Sequence, residues 1–381
     1  MIAIDFVGTN LNSGTKTYNI NFCNELNAQN IENETIVFIC KNYVNQIDLN
    51  FKKNNKIRYI IKPNFLSITF LRLLWMQMIL PFELKFLGVK TLYSPMNFSP
   101  LLLKIFKIKS VLALHSNLPW VYFDLMPGNF LRNFLTKKFM EFSIHLSEIL
   151  IVPSNFAKDE ITKVLNINKN KILAVYLGVD KRYLISNSKD FIEGFNYDKS
   201  YILSVLSCVK YHNIINLLKA FKITKDEINF DLKFVLVLSI LDKKYYYEVN
   251  KFIKENFNKD EIKIFLNLEG KYLINLYKKS LLYLFTSYCE VFGLTTLEAM
   301  AQKTPVIVSN KSALPEINSN AAEYFDPDDI VEIKEKIKSI INDEDNKRKL
   351  LNNANDHYKK YNWKKNIDQT LSAIKKINNS K

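Results

Sequence analysis

Two carboxylates, Glu290 and Glu298, stand eight positions apart in Cys289-Glu-Val-Phe-Gly-Leu-Thr-Thr-Leu-Glu-Ala-Met300, around a Phe-Gly-Leu turn that opens a helix. The chain has only 8 Gly in 381 residues, so Gly293 at this turn calls for a reason. Without a Cβ, backbone N–H groups at a helix start can closely approach a phosphate or a sugar hydroxyl. One carboxylate before the turn and one after it could then hold the hydroxyls of a nucleotide sugar from two sides. Plainer roles exist for each acid: Thr295-x-x-Glu298 fits a capping box, and Glu290 fits an exposed loop acid. The combined string is more specific than either residue alone.

Three further places could carry chemistry. His115 ends the run Ser110-Val-Leu-Ala-Leu-His, where an apolar strand meets Ser116-Asn-Leu-Pro119. A lone His is more often structural, and a strand-end position brings the functional reading level with that one. Asn12-Ser-Gly-Thr15 follows the first apolar run, and a turn at Gly14 can offer amides to an anion. Gly8 and Gly14 lack the Gly-x-Gly-x-x-Gly spacing of a dinucleotide site, so this signal is weak alone. Lys210-Tyr-His-Asn213 lies between a strand and the helix starting at Ile214, where Lys210 and His212 could neutralise a diphosphate. A plain solvated loop is the competing reading.

These residues must be positioned by strands and helices, and the apolar pattern supplies them. Ile2–Val7 precedes an amphipathic stretch from about Thr15 to Ala28. Runs at 35–40, 57–61, 90–93, 111–114, 149–152 and 172–176 read as further strands. The rhythm lapses between about Asp180 and Ser200, then resumes at 201–205, 234–238, 262–265, 281–285 and 306–308. Near-continuous aliphatic runs separated by helices indicate parallel sheets covered on both faces. The reading is two doubly wound α/β domains joined near residue 180. Ligands in such sheets sit outside the carboxyl ends of the strands, which puts the expected site in a cleft between the two.

Length and composition agree. A chain of 381 residues fits two domains, and 48% hydrophobic with 24% charged residues is a globular composition. The net charge of +15 comes from 53 Lys and Arg against 38 Asp and Glu, scattered without a long basic block. It favours an anionic substrate or membrane surface over a nucleic-acid groove. Cys23, Cys40, Cys208 and Cys289 have no paired spacing and read as reduced, buried thiols of a cytoplasmic protein. Four isolated His offer no metal-ligand set. The N-terminus lacks the basic start of a secretory signal and reads as a buried strand. Phe65–Leu87 is strongly apolar, but Arg72, Glu83 and Lys85 interrupt it and Pro81 is expected to break the helix. It reads as a buried or surface-associated helix rather than a membrane span.

So placed, the residues resemble the retaining family 4 glycosyltransferases, which have the two-domain GT-B fold. The likeness is most specific from about 280 to 327. It rests on Glu290 and Glu298 with Phe292-Gly293-Leu294, Thr304-Pro-Val-Ile-Val-Ser309, Leu314-Pro-Glu316 and Ala322-Glu-Tyr-Phe-Asp-Pro327. It extends to Ile149–Asn155 and Tyr176-Leu-Gly-Val-Asp180, and to Arg72-x-x-Trp75 with Gln77 and Tyr93–Asn97 on the acceptor side. The resemblance implies an acceptor-binding domain over 1–180 and a donor-binding domain over 181–362. The final helix, after Tyr361-Asn-Trp363, is expected to pack back on the first domain.

It also implies that Glu290 contacts the transferred sugar and Glu298 the ribose, with backbone groups of Phe292, Gly293 and Leu294 on sugar and phosphate. Ser13-Gly14-Thr15 would match the family's glycine loop and His115 its cleft histidine. The implied reaction moves a sugar from a nucleotide-diphosphate sugar to an oligosaccharide or lipid-linked acceptor, without a cofactor or metal. In the family a leaving phosphate oxygen helps take the acceptor proton, so no base–nucleophile pair is expected.

Two departures stand out. The family's usual Gly-Arg and Lys-Asn pairs are here Leu206-Ser207 and His212-Asn213, so both cations are missing, with Lys210 two residues away. A glycine usual after the second motif helix is Lys303, where a left-handed non-glycine costs roughly 1 kcal/mol. The missing cations leave a non-catalytic nucleotide-sugar-binding protein as the alternative. A nucleic-acid binder is a second rival, without an aromatic-basic stacking motif to support it.

Overall fold

The structure, a computed structural model, describes residues 1–7, 14–29, 31–46, 54–184, 188–195, 197, 200–228 and 230–379. The chain forms two compact units: residues 1–117, 134–178 and 363–381, and residues 118–133 with 179–362.

The first unit is built on strands β1 (Ile2–Phe6), β2 (Thr35–Cys40), β3 (Ile57–Lys62), β4 (Thr91–Ser94), β5 (Lys109–Ala113), β6 (Ile149–Val152) and β7 (Ile172–Ala174). They pair in the order β3-β2-β1-β4-β5-β6-β7, all parallel. Every residue of β1 and β2 is buried, as apolar runs covered on both faces require. The helices reached before the second sheet are α1 (Gly14–Ala28), α2 (Thr69–Leu74), α3 (Leu80–Phe86), α4 (Leu118–Val121), α5 (Phe130–Leu146) and α6 (Asn155–Leu165). Of these, α4 belongs to the second unit, and the unit boundary falls inside α5.

The second unit carries β8 (Tyr201–Cys208), β9 (Lys233–Ile240), β10 (Ile262–Leu266), β11 (Leu282–Phe285), β12 (Val306–Ser309) and β13 (Glu323–Phe325). Their order is β10-β9-β8-β11-β12-β13, again all parallel. Helices α7 (Ile214–Glu227), α8 (Lys243–Asn256), α9 (Gly270–Lys279), α10 (Leu294–Ala301), α11 (Leu314–Asn318), α12 (Ile330–Asn342) and α13 (Glu344–His357) complete it. Finally α14 (Trp363–Asn379) returns to the first unit, burying Trp363, Ile367, Ile374 and Ile377. Strand order reverses direction between β1 and β4 in one sheet and between β8 and β11 in the other. That reversal opens a crevice at the carboxyl strand ends.

Two local expectations are corrected. Pro81 does not break its helix. A π turn over Trp75–Ile79 joins α2 to α3, with Leu80 N bonding Trp75 O, and Pro81 sits in the first turn of α3. The wider turn relieves the clash and the missing donor that proline brings to a regular helix. The capping box is not formed either: Gly293 is the N-cap of α10 and no side chain caps it. Lys303, by contrast, is left-handed at φ 59°, and the bonds Lys303 N to Met300 O and Thr304 N to Ala299 O form a Schellman motif.

Candidate functional site

In the second unit the loops after β8 and β11 flank the reversal of strand order, and they are stitched together. Thr286 Oγ1 donates to His212 O at 2.8 Å, and Tyr288 N donates to Tyr211 O at 2.8 Å. Each bond ties one strand-end loop to the other, so the side chains they carry hold a fixed relation. Asn213, left-handed at φ 53°, lets the first loop turn into α7, and its side chain bonds Pro327 O at 2.7 Å.

Three of the residues singled out in the sequence meet here. Nδ1 of the buried His212 lies 2.6 Å from Ser207 O, and its Nε2 lies 3.1 Å from Glu290 Oε1. A carbonyl only accepts, so Nδ1 carries a hydrogen. The other contact sets the second ring nitrogen against a carboxylate oxygen. Ser207 thus contributes its carbonyl, and His212 occupies the place of a missing cation while gripping Glu290. The Glu290 backbone is pinned as well: its N–H donates to Ser312 Oγ at 2.9 Å, and its carbonyl accepts from Ala313 N at 3.2 Å. Lys210, on the same loop as His212, is exposed.

Gly293 has two structural demands. Its φ is 90°, a conformation L side chains rarely adopt, and a Cβ there would meet Leu314 Cδ2 at 2.7 Å. The glycine therefore serves the packing of α11 on α10 and leaves the first amides of α10 at the strand-end edge. Phe292 is buried, its ring edge-on to Tyr361 at 5.5 Å, so the chemistry open to it is that of its backbone. Leu294 opens α10 and is partly buried.

Glu298 stands apart from Glu290's partners. It is buried and accepts a hydrogen bond from Tyr277 OH at 3.2 Å; Tyr183 donates a second. Burial pushes its carboxyl up to about 8, against the opposing pull of Arg182; Asp180 adds to the rise. Arg182 is itself paired with Asp180 at 2.6 Å. Sequence reasoning missed Arg182, Tyr183 and Tyr277 around this acid. Arg182 and Tyr183 lie just past the quoted Tyr176–Asp180 string, a signal that could have been read. Tyr277 is brought in from α9 by the fold alone.

The first unit holds His115, two residues beyond β5. Its backbone N donates to Asn97 Oδ1 at 2.6 Å, its ring lies 4.5 Å from that of Tyr18, and it donates to Pro95 O. Burial depresses the imidazole to about 4, so it is neutral near pH 7. Nε2 is buried without a hydrogen-bond partner among the described residues. With the other nitrogen donating, Nε2 is the lone-pair acceptor, suited to a hydroxyl. Gly14 and Thr15 open α1, while Asn12 and Ser13 lie outside the described residues. Among the described residues no group of three or more His, Cys, Asp or Glu could hold a metal ion, and no helix is long and apolar enough to cross a membrane.

Two parallel doubly wound sheets of this kind are the architecture of the GT-B fold. Comparisons with known proteins agree: residues 12–183 match "Glycosyltransferase Family 4" and residues 186–357 match "Glycosyl transferases group 1". The chain belongs to the family 4 glycosyltransferases. It is similar to the O-antigen chain mannosyltransferase RfbU of Salmonella typhimurium, at 27% identity over 229 residues, 60% of this chain and 60% of that protein. The chain thus spans less than two thirds of that relative's length. In fold it is similar to a sucrose-phosphate synthase from Thermosynechococcus elongatus, with TM-score 0.74, 17% identity and coverage of 99% and 98%. It is equally similar to Anabaena HepE in complex with UDP and glucose, with TM-score 0.74, 15% identity and coverage of 98% and 100%.

Proposed function

We propose that this protein transfers a hexose from a nucleoside-diphosphate sugar to an acceptor hydroxyl, with retention at the anomeric carbon, in the assembly of a cell-surface polysaccharide or glycolipid. The observation that carries it is the Ser207–His212–Glu290 constellation at the carboxyl strand ends, beside the start of α10. RfbU makes mannose the first sugar to test, and HepE, solved with UDP and glucose, supports a nucleotide-sugar donor.

In this reading Glu290 orients the transferred sugar, held by His212, and Glu298 takes the ribose hydroxyls. Amides of Gly293 and Leu294, with Lys210, stabilise the departing diphosphate where negative charge develops. The sugar passes through an oxocarbenium-like transition state. A leaving phosphate oxygen helps accept the proton of the incoming hydroxyl, so no dedicated protein base is needed. Neutral His115 accepts a hydroxyl of the transferring group. The scheme needs no metal, and the work belongs at the inner face of a cytoplasmic membrane if the acceptor is lipid-linked.

The test is a thermal-shift screen of UDP-, GDP- and other nucleotide sugars, followed by product analysis. Glu290→Gln should lose most transfer while remaining folded; unchanged turnover would remove Glu290 from the site. A second reading, a nucleotide-sugar-binding protein without turnover, is favoured by the missing cations at Ser207 and His212. It requires saturable donor binding with no product from any acceptor.

A further inference from the structure

From Asn54 to Phe123 the chain carries nine Lys and Arg and a single acid, Glu83. That acid is taken by Lys62. Within this stretch the helical run 69–86 is apolar on both sides. One side is core, burying Trp75, Met76, Leu80 and Leu84. The other leaves Phe70, Leu74, Met78, Phe82 and Phe86 in solvent, with Phe70 67% and Phe86 92% exposed.

These five residues recur every fourth position. In a regular α-helix that spacing drifts by about 40° per step, and the wide turn at 75–79 takes part of the drift back. The stripe therefore stays on one side of the run. It continues across the Phe82–Phe106 ring contact, 4.8 Å between centroids, to Ile105, which is 73% exposed. Soluble surfaces rarely leave so much contiguous apolar area bare without a partner. Lys85, Lys104 and Lys107 border it, are exposed, and form no ion pair among the described residues.

Rings and aliphatic tips edged by uncompensated lysines match an interface that is apolar below and anionic above. A membrane-crossing role is ruled out because the opposite side of the run is packed into the first unit's core. A second copy pairing this face with itself would set lysines against lysines. We propose that this face lies in the headgroup layer of an anionic bilayer, its aromatic tips at the acyl boundary and its lysines on lipid phosphates. The inference deepens the acceptor side of the proposed function. It is read by vesicle binding without turnover, so either can fail while the other stands.

The test is flotation of the full chain with phosphatidylcholine vesicles made with and without phosphatidylglycerol, across a salt series. Binding should require the anionic lipid and weaken as salt rises. Phe70→Ser with Phe86→Ser should lower the partition about tenfold or more at an unchanged melting temperature. Lys104→Glu with Lys107→Glu should lower it by roughly tenfold or more. The proposal is overturned if anionic vesicles are not bound, or if either double variant binds as the parent does. It is equally overturned if the serine variant converts a dimer of the parent into a monomer, which would make a second copy the occupant.

Discussion

Glu298 shows how a single buried acid can make stability depend on pH. Its carboxyl is pushed from the ordinary 4.5 to about 8, chiefly by burial. A folded-state value above the unfolded one means the native protein holds a proton that the unfolded chain has released. Stability therefore falls as pH rises from about 4.5 to about 8, then levels off. Glu298→Gln should abolish this slope, making the variant more stable than the parent at pH 9 by an amount on the order of a few kcal/mol, with little difference at pH 4. Melts at the two pH values check it; parallel curves would mean the acid is ionised throughout.

His115 has the opposite sign. Its folded value, depressed to about 4, gives stability that is lost as pH falls from 6.5 through 4. It cannot act as a cation near neutrality. His115→Ala should lower kcat about tenfold or more and raise the donor KM about threefold at most, the pattern of an interaction made mainly in the transition state. A KM rise alone would assign it to ground-state binding.

At the scale of elements, the strands were readable because buried parallel strands are written as unbroken aliphatic runs. Thr35–Cys40 and Ile149–Val152 coincide with β2 and β6. β13 escapes this pattern, because Glu323-Tyr-Phe325 is too short and too polar at its start to register as a run. Pro81 misled because a proline's local rule holds for a regular helix, and the π turn before it is a property of packing around Trp75. Lys303 was legible: a left-handed residue after α10 was expected, and its φ of 59° carries the strain. Lys303→Gly should therefore stabilise the protein by about 1 kcal/mol. Denaturant midpoints at constant m-value measure it; no gain would show that the Lys303 side chain compensates through contacts of its own.

For the whole molecule, the pattern of runs gave two α/β sheets and the acid-flanked glycine turn gave the site's main strand-end loop. What the pattern could not give were partners set by tertiary approach. His212 on Glu290 and Tyr277 on Glu298 join residues 78 and 21 positions apart, and no spacing rule links them. The reason offered for Gly293 was also incomplete, since the close neighbour is Leu314, a residue of the chain itself. The return of the final helix has a measurable weight. Lys109 Nζ bonds Ile377 O at 2.6 Å, Lys375 pairs with Glu32 at 2.5 Å, and the Trp363 ring lies 5.4 Å from that of Tyr18. Deleting 363–381 exposes the apolar surface these residues cover and should cost several kcal/mol, roughly 1.5–3 for each large buried side chain. Loss of cooperative melting or aggregation on expression would report it, and an unchanged melt would show the helix to be a passive appendage.

The chain passes between its two units four times, after residues 117, 133, 178 and 362. Neither half is therefore a continuous length of polypeptide. A ribosome that has released the first 178 residues has made a sheet still waiting for the tail 363–381. Until that tail arrives, Tyr18, Thr91 and Lys109 lack the partners they have in Trp363, Asn378 and Ile377. Completion of the first unit is thus tied to synthesis of residues 363–379, and a chain cut before them leaves that unit's sheet without the helix that packs on it.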